Sequence, residues 1–121
     1  MSKKILIVDD DAKILTIEKT ILTQGGYSVE TALDGVSALE KLKASQFDAI
    51  ILDVLMPYMD GYTVAKEIKK LESYKHTPII MVTAAQERDA LRHGFGAGAV
   101  VFMSKPFTAT RLLTVLSTVV K

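Results

Sequence analysis

Four short stretches of this chain are apolar almost throughout, and each is stopped by a polar group capable of chemistry. Lys4–Val8 (KILIV) runs into Asp9-Asp10-Asp11, Ala49–Leu52 (AIIL) into Asp53, Pro78–Val82 (PIIMV) into Thr83, and Ala99–Met103 (AVVFM) into Ser104-Lys105. None alternates between apolar and polar, so none suits a sheet with one wet face; such runs read as strands buried on both sides, as in a parallel sheet covered by helices. Helical patterns lie between them. Apolar residues Ile14, Leu15, Ile17, Ile21 and Leu22 recur at helical spacing over Ala12–Gln24, before Gly25-Gly26 breaks the pattern. Tyr27–Ala32 alternates like a strand, and Asp34 caps a helix over about Val36–Ala44. Further helices are predicted over Tyr62–Leu71, Gln86–His93 and Thr108–Val120. Five strands alternating with five helices predict an α/β, doubly wound, flavodoxin-like fold, because right-handed crossovers place helices on both faces of a parallel sheet. The common strand order is 2-1-3-4-5, with a crevice at the carboxyl ends of the first and third strands, where the winding reverses.

With 121 residues, the chain is expected to form one domain, residues 1–121. Apolar residues make up 49% and charged residues 24%, far from the composition of a disordered chain. The run from His93 to Ser104 has no formal charge but contains three glycines, and it is far shorter than the roughly 20 apolar residues needed to span a bilayer. A net charge of +1 offers no basic footprint, so no direct nucleic-acid contact is expected. Without cysteine there can be no disulfide, zinc ribbon or thiol nucleophile, which fits a cytoplasmic location.

The strand-end residues carry the functional signal. In a parallel sheet they share one edge, which gathers Asp9, Asp10, Asp53, Thr83 and Lys105 at the crevice. Carboxylates placed there repel one another unless a cation sits among them or one keeps its proton. The hard, oxygen-ligated Mg²⁺ is the natural occupant. A carboxylate, a metal, a lysine and a hydroxyl are the parts that phosphoryl transfer requires. Asp11, one place further on, reads instead as a helix cap.

The motifs ILIVDDD at Ile5–Asp11, ILDVLMPYMDG at Ile51–Gly61, MVTAA at Met81–Ala85 and FMSKPF at Phe102–Phe107 together resemble the receiver domain of two-component response regulators, over essentially the whole chain. The resemblance implies that Asp53 is the phosphoacceptor, supplied by a sensor histidine kinase, a phosphotransfer protein or a small donor such as acetyl phosphate. It also implies that Asp10, Asp53 and the Leu55 backbone carbonyl bind Mg²⁺ directly, with Asp9 holding it through water. Lys105 and Thr83 would contact phosphoryl oxygens, and Phe102 would move inward as the switch aromatic. Such a protein is not an enzyme acting on a separate substrate, but a signalling receiver that takes part in its own phosphorylation and dephosphorylation.

A rival reading is a haloacid dehalogenase-type phosphatase, which also uses an aspartyl-phosphate and whose Asp-x-Asp motif is contained in Asp9-Asp10-Asp11. Against it, Lys13 stands where that motif usually continues with Thr or Val, and no acidic residue follows Asp89 to complete a metal site. The last predicted helix carries Leu112, Leu113, Val115, Leu116, Val119 and Val120, more than one core-facing stripe needs, so some of these are expected to be exposed. With Val100-Val101 and the Gln86–His93 helix they would form a face that docks a downstream protein, or a second copy as a phosphorylation-dependent dimer.

Overall fold

The computed structural model describes residues 2–54, 56, 60–83, 100–105 (Val100 by its backbone only) and 107–120. Its elements are β1 (Lys4–Val8), α1 (Ala12–Gln24), β2 (Ser28–Ala32), α2 (Gly35–Ala44), β3 (Ala49–Asp53), α3 (Gly61–Lys70), β4 (Ile79–Thr83), β5 (Val100–Ser104) and α4 (Ala109–Val119). The five strands are parallel and lie in the order β2-β1-β3-β4-β5, as expected. The helix predicted over Gln86–His93 lies outside the described residues; the other four are present.

Successive strand residues point to opposite faces, so each apolar run feeds two cores. Leu6, Ile50, Leu52, Ile79 and Met81 face the layer covered by α2 and α3. Ile5, Ile7, Ile51, Ile80 and Val82 face the layer under α1 and α4. This is why the runs lack alternation.

The helix caps follow the local sequence. Asp11 accepts from the backbone N–H groups of Lys13 and Ile14, Asp34 from Ser37, and Asp60 from Thr63, each meeting donors that an α-helix leaves unpaired at its start. After α1, Gly26 takes φ +96°, a backbone conformation that costs a side chain-bearing residue more.

Two expectations are corrected. Ile17 does not join the inward stripe of α1: it is 56% exposed, while Glu18 beside it is 3% exposed. Leu15 and Leu22 set the helix rotation, and Glu18 lies on their stripe at i+3 from the first and i−4 from the second. On α4 the apolar residues beyond the core stripe are half-buried, less open than expected. Leu112 and Leu116 are buried, and Leu113, Val115, Val119 and Val120 are half-buried against the layer that α4 shares with α1. Close approach of the two helices accounts for this: a Cβ on Gly25 would stand only 2.6 Å from Leu113 Cδ2, so the glycine makes room for the leucine.

A short 3₁₀ turn at Glu72–Tyr74 follows α3 and was not anticipated. Tyr74 is buried there and its hydroxyl donates to the carbonyls of Leu42 (2.8 Å) and Ser45 (2.6 Å), tying the turn to the end of α2.

Candidate functional site

The carboxyl ends of β1 and β3 bring Asp9, Asp10 and Asp53 together. One carboxylate oxygen from each lies within 4.8 Å of the others. Asp9 and Asp53 are buried, at 4% and 6% exposure, whereas Asp10 is exposed. Asp9 is fixed at both ends: its N–H donates to the Ala32 carbonyl (3.1 Å), and its Oδ1 accepts from the Asp11 N–H (2.9 Å). Burial raises the Asp9 carboxyl above its ordinary value; the Asp11 N–H opposes this, and the charge of Asp53 adds to it.

Lys105 follows β5 and reaches across β4 to donate from Nζ to Asp53 Oδ1 at 3.2 Å. Its backbone N–H is tied to the Thr83 carbonyl at 3.0 Å, so the lysine and threonine are held side by side at the sheet edge. Thr83 is buried at the end of β4. Phe102 is half-buried on β5, paired with Met81 and packed against the layer of α2 and α3. The structure thus gathers Asp9, Asp10, Asp53, Thr83 and Lys105 around one edge, with Phe102 two residues back along β5; Leu55 lies outside the described residues.

The approach of α3 is part of the site's construction. The Gly61 N–H donates to the Val54 carbonyl at 2.8 Å, and a Cβ on Gly61 would stand 2.5 Å from the Asp53 carbonyl oxygen and 2.7 Å from Val54 Cα. Both neighbours are backbone and cannot swing aside. Gly61→Ala is therefore expected to destabilise the fold by about 2 to 3 kcal/mol and to displace the end of β3 that carries Asp53. A urea midpoint within error of the parent protein's would contradict that packing.

Glu18 is the group near the site that sequence reasoning missed. It is buried on α1 and its Oε1 has no hydrogen-bond partner. Burial pushes its carboxyl up to about 7, with the charge of Asp9 adding, Lys105 opposing and Asp53 adding further. Its position on the Leu15–Leu22 stripe was the only signal available.

Among the described residues, three acids face one ammonium in the cleft, and such a set of carboxylate oxygens suits a hard divalent cation. Several known proteins share this arrangement's frame. The fold matches the chemotaxis protein CheY4 of Vibrio cholerae with a TM-score of 0.91 to 0.92 at 39% identity, over 98% of this chain and 99% of that one. It also matches the receiver domain of the sensor histidine kinase PA1611 from Pseudomonas aeruginosa, solved with a magnesium ion coordinated in its active-site cleft, with a TM-score of 0.86 at 29% identity over 99% and 98% of the two chains. In sequence, the alkaline phosphatase synthesis transcriptional regulatory protein PhoP of Bacillus subtilis is 41% identical over 108 residues, 89% of this chain and 44% of that regulator. The chain spans less than half the length of the curated relatives it matches. None of these matches favours the phosphatase reading. The family model for the response regulator receiver domain matches residues 5–117, and the chain belongs to that family.

Proposed function

We propose that Asp53 is the phosphoacceptor of a two-component signalling step. The observation that carries this reading is the buried Asp53 carboxylate held by Lys105 Nζ at 3.2 Å, beside Asp9 and Asp10. The Asp53 carboxylate attacks phosphorus, forming an O–P bond as the donor's N–P bond breaks and the imidazole of a kinase or phosphotransfer protein leaves with the electron pair. With acetyl phosphate the leaving group is acetate. Lys105 then moves its ammonium from Asp53 Oδ1 to a phosphoryl oxygen, and the Thr83 hydroxyl donates to another. Phe102, packed on the strand next to Thr83, follows that movement inward.

Asp10 and Asp53, with the Leu55 carbonyl, would hold Mg²⁺ directly, and Asp9 would hold it through water. When bound, the ion offsets the negative charge of the carboxylates and of the incoming phosphoryl oxygens. The protein's own residues supply the nucleophile, the ammonium and the orientation. This makes it a receiver that takes part in its own phosphorylation and dephosphorylation.

The face read by a downstream protein, or by a second copy, comprises β5 and α4. Val101 and Phe102 are half-buried on β5, which is an edge strand. That face is the part of the surface that movement of Thr83 and Phe102 would alter. Among the described residues no helix is long and apolar enough to cross a membrane.

The test is incubation with acetyl phosphate and Mg²⁺, which should add one phosphoryl group to the intact mass and add none when the metal is chelated. Asp10→Ala should weaken Mg²⁺ binding by at least about tenfold and lower phosphorylation with it, since it removes one of only two direct carboxylates. Full labelling of that variant in the absence of Mg²⁺ would overturn the ligand assignment.

A further inference from the structure

Glu18 takes no part in the chemistry above, yet it is a buried acid. It lies on α1 on the stripe of Leu15 and Leu22, which belong to the apolar layer with Ile7, Val82 and Leu112, and it is itself only 3% exposed. A carboxylate in such a layer requires a partner, and an unpaired charge there costs several kcal/mol. Glu18 Oε1 is shielded from solvent and has no hydrogen-bond partner.

Asp9 at the end of β1, Asp53 at the end of β3 and Lys105 after β5 act on it electrostatically. The apolar side chains of that layer include Val29 of β2 and Leu112 and Leu116 of α4. Glu18 therefore responds to the charge of the cleft through a medium that screens poorly.

We propose that Glu18 is a proton-linked control on divalent-cation binding in the Asp9, Asp10 and Asp53 cleft, strengthening it when ionised and weakening it when neutral. The inference rests on the reading of that cleft as the magnesium site. Linkage makes the effect reciprocal: an arriving cation stabilises the ionised Glu18 and expels its proton, and a phosphoryl group on Asp53, which adds negative charge, draws a proton back. Burial pushes the Glu18 carboxyl up to about 7, so the exchange falls in the neutral range.

The experiment is calorimetric titration of the full chain with Mg²⁺ at about pH 6 and about pH 8, for the parent protein and for Glu18→Gln, which keeps the shape but cannot ionise. The parent's affinity should rise about fivefold to tenfold between the two, as expected for a buried charge acting on a divalent ion. In Glu18→Gln most of that rise should vanish. Proton release on binding, read from heats in buffers of different ionisation enthalpy, should fall likewise. Carboxyl carbon shifts of Glu18 in the parent protein provide a check independent of any variant: its titration should move to lower pH when Mg²⁺ is added. An equal pH dependence in both proteins, or a Glu18 titration that ignores Mg²⁺, would overturn the inference while leaving the magnesium site intact. Absence of Mg²⁺ binding at either pH would overturn both.

Discussion

Asp53→Asn is expected to fold normally and to take up no phosphoryl group. Asparagine matches aspartate in shape, and its side-chain oxygen can still accept from Lys105 Nζ, which donates to Asp53 Oδ1 at 3.2 Å. The change also relieves the crowding of carboxylates, since one of the three acids within 4.8 Å of each other becomes neutral. What is lost is the nucleophile: an amide oxygen does not attack phosphorus at a useful rate, so incorporation from acetyl phosphate should fall by at least about a thousandfold. Intact mass after incubation with donor and Mg²⁺ is the readout, with thermal unfolding as the control for folding. Undiminished labelling of the variant would move the acceptor to another residue and end the case for Asp53. Partial labelling that survives Asp53→Asn but disappears with a second acid in the cleft would point to Asp9 or Asp10 as the acceptor.

The sheet and its edge could be read from sequence because a parallel strand buried on both faces leaves an unmistakable trace. KILIV, AIIL, PIIMV and AVVFM admit no wet face, and the residues that stop them must share one edge once the strands are parallel. Asp11 and Asp34 were legible as caps because each precedes a helical pattern by one or two residues and accepts locally. The rotation of α1 was less accessible. Its apolar residues at 14, 15, 17, 21 and 22 cover a broad arc, and periodicity alone does not choose between Ile17 and Glu18 for the inner face. Packing chose the Leu15–Leu22 stripe and carried Glu18 inward with it, a tertiary decision that overrides the preference of a single side chain. The 3₁₀ turn at Glu72–Tyr74 was illegible for a different reason: it is held by long-range bonds. Tyr74 reaches back to the Leu42 and Ser45 carbonyls, and Lys69 Nζ donates to the carbonyls of Tyr74 and Thr77, pairings that no local pattern announces. The partial cover of the apolar residues on α4 has a related cause, since Gly25, just after α1, makes room for Leu113.

Glu18→Leu should stabilise the metal-free protein, and by an amount that grows with pH. The carboxyl is raised from 4.5 in the unfolded chain to about 7 in the native state. With the folded value above the unfolded one, the native state keeps its proton longer than the unfolded chain does. The stability associated with this proton is therefore fully present below about 4.5 and is lost as pH rises through about 7. At 1.36 kcal/mol per pH unit, the loss between those limits is on the order of 3 kcal/mol. Leucine at this position removes the slope and adds an apolar group to a layer that already holds Leu15 and Leu22. Near pH 4 the variant should exceed the parent only by that apolar gain, about 1 kcal/mol; near pH 8 the advantage should reach about 4 kcal/mol, a large part of a small domain's total stability. Urea unfolding at the two pH values in the presence of a chelator measures the difference directly, with the slope against urea unchanged if the same surface is exposed. An advantage of equal size at both pH values would mean that Glu18 keeps an ordinary carboxylate value and finds a partner in solution. A widening advantage, together with loss of the pH dependence of Mg²⁺ binding in Glu18→Gln, would identify Glu18 as a group whose cost to the fold is tied to control of the cleft.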